Sequence, residues 1–181
     1  SIYEKDFLTR AVELIKSEVG FPCVIKPANQ GSSVGVSIIQ EESTALVRKA
    51  ILKGFFIEEI TSDEWNSLQE QERTDYIRRL ADIREGIGMP VVISGLADKT
   101  MRILHPENLY SFLQDYFSKN KSPLWIEGTD SESEVLVEQF ISGREFSCIV
   151  IRNENGEAVA LPPTEIRKGN TYYDYRSKYL P

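Results

Sequence analysis

The strongest constraint on this chain is a stretch in which Lys26-Pro27 precedes Gly31-Ser32-Ser33-Val34-Gly35-Val36. The apolar run Pro22-Cys23-Val24-Ile25 leads into it, and a second run, Val36-Ser37-Ile38-Ile39, leads out. That pattern predicts strand, loop and strand, a hairpin with glycines and serines at its tip. Glycine lets a backbone approach an anion closely, while serine hydroxyls and bare N–H groups wrap phosphate oxygens. Lys26, at the base of such a loop, supplies a point charge for the same oxygens. An ordinary hairpin with a surface lysine is the competing reading of these residues alone. A Walker A loop is excluded because the lysine comes before the glycines, and no G-x-G-x-x-G opens a helix after a strand.

Composition narrows the partners. The 181 residues carry a net charge of −7, which argues against nonspecific nucleic-acid binding, where a basic surface supplies the affinity. The acidic balance leaves a phosphate site open, because such a site needs only local lysines. Hydrophobic residues at 41% and charged residues at 27% are ordinary for a globular domain with its own core. No signal peptide and no long apolar stretch is present, so the expectation is a cytoplasmic protein without membrane contact. Cys23 and Cys148 sit in apolar, strand-like runs and are expected reduced and buried. His105 is the single histidine and stands before Pro106-Glu107, as a helix-entry residue does, so Ser–His catalysis and a histidine zinc site are poor hypotheses.

Periodicity places the rest. Leu8, Ala11, Ile15 and Val19 predict a helix closed by Gly20, and Ser43 starts a second helix with Leu46, Val47, Ala50 and Ile51 inward. Thr61 and Glu64 form a capping-box pattern before Trp65 and Leu68. Tyr76, Ile77, Leu80, Ile83 and Ile87 continue helical spacing up to Gly86 and Gly88, and Met89 to Ser94 reads as a strand. Pro106 opens a helix whose stripe of Leu109, Phe112, Leu113, Tyr116 and Phe117 is read as core. Gly20-Phe21-Pro22-Cys23-Val24-Ile25 is echoed by Gly88-Met89-Pro90-Val91-Val92-Ile93. The second copy lacks the lysine and the serine loop, and the echo is read as coincidence rather than as partial duplication.

Two further segments complete a pattern: Val135-Leu136-Val137-Glu138-Gln139-Phe140-Ile141-Ser142-Gly143-Arg144-Glu145, and Tyr173-Asp174-Tyr175-Arg176-Ser177-Lys178-Tyr179. With the Lys26 hairpin they resemble, in order, the central part of the ATP-grasp superfamily and specifically its D-alanine–D-alanine ligase branch. The shared run is Lys-Pro, Gly-Ser-Ser-Val-Gly, Val-Glu, Gly-x-Glu and Tyr-Asp-Tyr-x-x-Lys-Tyr. The resemblance covers roughly the first and last fifty residues, and the middle rests on periodicity alone.

The resemblance implies roles. Lys26, Gly31, Ser33 and Gly35 would hold nucleotide phosphates. Glu138 would accept from the adenine amino group, with the backbone of Gln139 and Ile141 along the base edge and Phe140 as apolar neighbour. Glu145 would take the ribose hydroxyls, and Lys178 would meet the γ-phosphate in transfer. Ser32 and Tyr179 would meet near the reacting amino acid. Gln139 departs from the lysine often found there, a contact carried largely by backbone. ATP and Mg²⁺ are the implied cofactors and D-alanine or another amino acid the partner, with a homodimeric parent. The metal ligands are expected beyond Pro181, so the chain is expected to be a fragment of a larger ligase, inactive alone.

The fold expected is α+β, an antiparallel lid sheet of about four strands with helices on one face. Residues 1–52 and 134–181 would form a discontinuous central domain. Residues 53–133, about eighty in all and far beyond an ordinary connection, would be a mainly helical insertion of unknown role. Another ATP-grasp amino-acid ligase, and a non-catalytic nucleotide-binding module, are the alternatives.

Overall fold

The computed structural model describes residues 5–96, 99–129 and 131–167, so Lys178 and Tyr179 lie outside the described residues. The chain divides into two compact units, Ser1–Phe140 and Ile141–Pro181; among the described residues the first mixes helix with antiparallel sheet and the second shows short antiparallel strand pairs.

The first unit opens with helix α1 (Lys5–Leu14), which runs on into a wider π turn over Ile15–Val19. Gly20, at φ +78°, ends it by donating its N–H to the Ile15 carbonyl at 2.8 Å. Strands β1 (Cys23–Pro27) and β2 (Ser37–Ile39) flank the loop, and helix α2 (Thr44–Gly54) follows, its first turn capped by the Ser43 hydroxyl. The chain continues through β3 (Ile57–Ile60), α3 (Ser62–Ser67), α4 (Glu70–Ala81), β4 (Val91–Leu96), β5 (Lys99–Ile103), α5 (Pro106–Lys119), β6 (Leu124–Gly128) and β7 (Val135–Gln139).

Two antiparallel sheets organise these elements. One has the order β2-β1-β7, the other β3-β6-β4-β5. In β1 the burial alternates, with Cys23, Ile25 and Pro27 buried and Val24 and Lys26 half-buried, as a sheet covered on one face requires. The covered face packs on Leu8, Val12 and Ile15 of the first helix and Val47, Ala50 and Ile51 of α2, so the helices do lie on one face. The lid sheet shows three strands among the described residues where about four were expected.

The expectation of a mainly helical segment over 53–133 is corrected. The capping box at Thr61 and Glu64 forms, Pro106 does open a helix after His105, and the stripe residues Leu109, Leu113 and Phe117 are buried. The helices, however, cover a four-stranded sheet. Its central strands are bounded by turn residues that periodicity alone could not connect. The expected helix through Ile87 also ends early, at Ala81. Gly86 folds back so closely that a Cβ there would stand 2.5 Å from the Arg79 and Leu80 carbonyls, and a continuing helix would leave no room for this turn. Trp65, 1% exposed, centres this second core and meets Tyr110 edge-on at 5.8 Å between ring centroids.

The second unit, in its described part, holds two short strand pairs: β8 (Glu145–Ser147) with β11 (Thr164–Ile166), and β9 (Val150–Arg152) with β10 (Ala158–Ala160). Arg144 grips Glu165 with two parallel hydrogen bonds, 2.8 and 3.0 Å. Cys23 is buried as expected, but Cys148 is exposed: it lies between β8 and β9, whose residues are exposed as well. Among the described residues no helix is long and apolar enough to cross a membrane.

Trp65→Ala should cost about 3–5 kcal/mol of stability, read as a lower urea midpoint at unchanged slope. A second expectation concerns Glu58, whose carboxyl is pushed above its ordinary range by burial, offset in part by the Tyr76 hydroxyl bonded to it at 3.1 Å. The folded state therefore holds this proton more tightly, and the contribution is full below pH 4.5 and lost as pH rises through the folded value. Urea unfolding of Glu58→Gln beside the wild type should show the variant gaining relative stability from acid to neutral pH.

Candidate functional site

The pairing of β1 with β7 builds the site. Val24 stands opposite Glu138 and Lys26 opposite Leu136, so these four side chains share the face turned away from the helices. Lys26 and Glu138 are diagonal neighbours on that face, within reach of long side chains. Lys26 Nζ meets Glu138 Oε2 at 2.6 Å. Two residues 112 positions apart in sequence, both singled out as nucleotide ligands, are thus brought together. Val24, Ile38 and Leu136 make the surrounding face apolar, a floor suited to an aromatic base.

The backbone at the end of β7 alternates in a defined way. Phe140 donates its N–H to the Pro22 carbonyl at 3.0 Å, and Ala28 donates to the Glu134 carbonyl at 3.2 Å. These bonds fix the even-numbered residues of β7 toward β1. The N–H and C=O of Val135, Val137 and Gln139 consequently point to the outer edge of the strand. Among the described residues β7 pairs with β1 alone. Gln139 therefore offers backbone groups at that edge, whereas the Phe140 N–H is spent inside the sheet.

The loop between β1 and β2 is tightly shaped. Val34 donates to the Gly31 carbonyl at 3.1 Å, and both central residues of this turn are left-handed, Ser32 at φ 54° and Ser33 at φ 61°. Left-handed non-glycine residues cost free energy and collect at ligand-binding loops. Gly35, at φ +73°, passes so close to Pro27 that a Cβ would meet its Cγ at 2.6 Å. The glycine is required there by approach as well as by φ.

Residues that sequence reasoning did not single out hold this loop. Lys53 donates to the Val36 carbonyl at 3.1 Å, and burial together with the neighbouring Lys49 lowers its pKa from the ordinary lysine value. Glu132 accepts from the side-chain amides of Asn29 at 2.9 Å and Gln30 at 3.1 Å. Val34 packs against the core of the β3-β6-β4-β5 sheet, with the Phe56 ring beside Gly35. Each contact joins residues far apart or on different elements, and no local sequence pattern announces them.

Of the expected site residues, Lys26, Gly31, Ser32, Ser33, Gly35, Glu138, Gln139 and Phe140 belong to the first unit. Ile141 and Glu145 belong to the second, Ile141 with its side chain 87% exposed and Glu145 at the start of β8. Lys178 and Tyr179 lie outside the described residues.

Comparison with known proteins adds the following. The family model described as the D-ala D-ala ligase C-terminus matches residues 3–127 and again residues 59–181. A D-alanine–D-alanine ligase of Halothermothrix orenii is 26% identical over 98% of this chain, covering 30% of the relative. D-alanine–D-alanine ligase B of Clostridium perfringens is 30% identical over 72% of the chain and 36% of the relative. A D-alanine–D-alanine ligase of Carboxydothermus hydrogenoformans is 30% identical over 75% of the chain and 39% of the relative. The chain thus spans between 30% and 39% of the length of these relatives.

Gly35→Ala should destabilise the first unit by about 1–3 kcal/mol through left-handed strain and overlap with Pro27. Chemical denaturation followed by far-UV circular dichroism checks the size, and increased proteolytic nicking in residues 28–36 checks the place.

Proposed function

The chain belongs to the D-alanine–D-alanine ligase C-terminal family, and from that membership we propose that it forms the nucleotide-holding part of an ATP-dependent carboxylate–amine ligase acting on D-alanine. The observation that carries the reading is the Lys26–Glu138 pair on an apolar sheet face, beneath a loop with two left-handed serines. A lysine at the foot of an anion-ready loop and a carboxylate at a strand end form a bipartite seat for phosphates and a base.

In this reading Lys26 turns from Glu138 to the phosphates when nucleotide enters, and Glu138 is released to accept from the adenine amino group. The outward backbone of Gln139, together with Ile141, takes the base edge beside Phe140. Gly31, Ser33 and Gly35 give the loop its close approach to phosphate oxygens, and Glu145 takes the ribose. A substrate carboxylate attacks the γ-phosphorus, forming an acyl phosphate and releasing ADP. An amine then attacks the acyl carbon and inorganic phosphate leaves. Lys178 neutralises charge on the phosphoryl group in transfer, where a fixed cation helps most. Ser32 and Tyr179 close over the amino acid and keep water from the acyl phosphate. Residues 1–52 and 134–181 are the proposed nucleotide domain, interrupted by 53–133. The proposed enzyme works in the cytoplasm, contributes to peptidoglycan precursor synthesis and assembles as a homodimer.

Bound Mg²⁺ would neutralise phosphate charge. Among the described residues no group of three or more His, Cys, Asp or Glu gathers as a metal site, so they are assigned no metal ligand and no step is routed through one.

The test is ADP release by the full-length protein with ATP, Mg²⁺ and D-alanine, with L-alanine and no amino acid as controls. D-alanine-dependent release is expected. Lys178→Ala should lose turnover by more than about tenfold while nucleotide binding persists. Release that is indifferent to the amino acid supplied would refute the proposed substrate.

A further inference from the structure

The echo set down above to coincidence has a structural counterpart that coincidence does not explain. Gly20, Pro22, Val24 and Ile25 recur as Gly88, Pro90, Val92 and Ile93, and each run enters a strand through a glycine near φ +78°. Each strand follows a helix, α1 or α4, and pairs antiparallel with the next strand, β2 or β5. Each hairpin is followed by a helix, α2 or α5, that closes the core over it.

The registers coincide residue for residue. Cys23 opposes Ile39 as Val91 opposes Ile103, and all four are buried. On the other side, Val24 opposes Glu138 as Val92 opposes Glu127, and Lys26 opposes Leu136 as Ser94 opposes Trp125. The ladder ends alike: Phe140 donates to the Pro22 carbonyl at 3.0 Å, and Thr129 donates to the Pro90 carbonyl at 3.1 Å. Strand order is the same, β7-β1-β2 in one sheet and β6-β4-β5 in the other. Both matches of the family model draw on residues 59–127.

We infer that residues 70–129 are a second copy of the loop-bearing unit formed by 5–54 and 135–140, one closed against nucleotide by β3. Three changes close it. Ser94 stands where Lys26 stands, so the cation is gone. Only two residues of sequence separate Leu96 of β4 from Lys99 of β5, against the long stretch from Pro27 to Ser37 in the first copy. Strand β3 covers the outer edge of β6, where Gly128, the counterpart of Gln139, donates its N–H to the Phe56 carbonyl at 3.0 Å. The edge that the first copy offers to a base is thus occupied by backbone in the second. Glu127, the counterpart of Glu138, accepts from the Ser131 hydroxyl at 2.8 Å, where Glu138 accepts from Lys26.

The closed copy retains a part in the site. Phe56, whose carbonyl seals the β6 edge, places its ring beside Gly35 of the working loop, and Val34 of that loop packs on the closed copy's core. One residue, held at φ 58°, joins the sealed copy to the open one. The duplicate serves as an internal platform for the loop of its twin.

This inference rests on the nucleotide reading only for which copy binds, and the experiment separates the two. Titration of the chain with a non-hydrolysable ATP analogue should give one site per chain. Lys26→Ala should weaken it at least tenfold, and Glu127→Gln should leave the affinity within twofold. Two sites, or residual binding in Lys26→Ala that Glu127→Gln removes, would overturn the closure. Amide exchange gives a readout independent of nucleotide. Gly128 and Ile126 should be strongly protected, while Gln139 and Val137 exchange readily. Equal exchange at the two edges would also overturn it. Slow exchange at Gly128 with no nucleotide bound would uphold the closed copy and refute the nucleotide reading of the first.

Discussion

The ladder between β1 and β7 is the interaction on which the rest depends. It joins residues 23–27 to residues 135–139 across more than half the chain, from the Pro22–Phe140 bond to the Ala28–Glu134 bond. Without it Lys26 and Glu138 share no face, and the helices over Cys23 and Ile25 lose one border of the surface they bury. Such a contact carries a high loop-closure cost unless the intervening chain is itself compact. Here the intervening chain folds on its own core around Trp65, so the closure is made by a structured body.

That body also explains how a loop with strained residues keeps its shape. Ser32 and Ser33 are left-handed without being glycine, a conformation that persists where surroundings over-determine it. Those surroundings are Pro27 against Gly35, Phe56 beside it, Lys53 on the Val36 carbonyl, and Glu132 on Asn29 and Gln30. The exposed hydrogen bonds among these are individually weak, and the burial of Val34 and Gly35 against an apolar core carries more. Loop support therefore falls to Phe56 and its neighbours, residues distinct from Lys26, the proposed anion ligand.

Much of this was legible in sequence, and the failures have identifiable causes. The Thr61–Glu64 capping box, the Pro106 helix start and the burial of Leu109, Leu113 and Phe117 follow from local chemistry, and they form as read. The sheet β3-β6-β4-β5 is not legible in sequence because β3 and β6 are four and five residues long and pair with each other across more than sixty positions, and periodicity cannot supply a partner. The helix expected through Ile87 failed at Asp82 because tertiary approach of Gly86 to the Arg79 and Leu80 carbonyls overrides the apolar spacing. Cys148 is exposed although its run is apolar, since an apolar run does not reveal whether any layer covers it.

By itself the sequence determined the chemistry available: a lysine before a glycine–serine loop, a Val-Glu strand end, and the order of motifs that marks the ligase family. These are local, because φ preference, side-chain charge and motif order are properties of neighbouring residues. The sequence also shows that only the first of two similar runs carries the lysine and the serine loop, whereas tertiary structure decided which of the two units keeps an open strand edge. The Gly-x-Pro-x-Val-Ile run occurs twice, and both copies adopt the same register with a glutamate on the third strand. Only the pairing of β3 along β6 distinguishes a filled edge from an open one, and that pairing links residues 57–60 to residues 124–127, beyond the reach of any local signal.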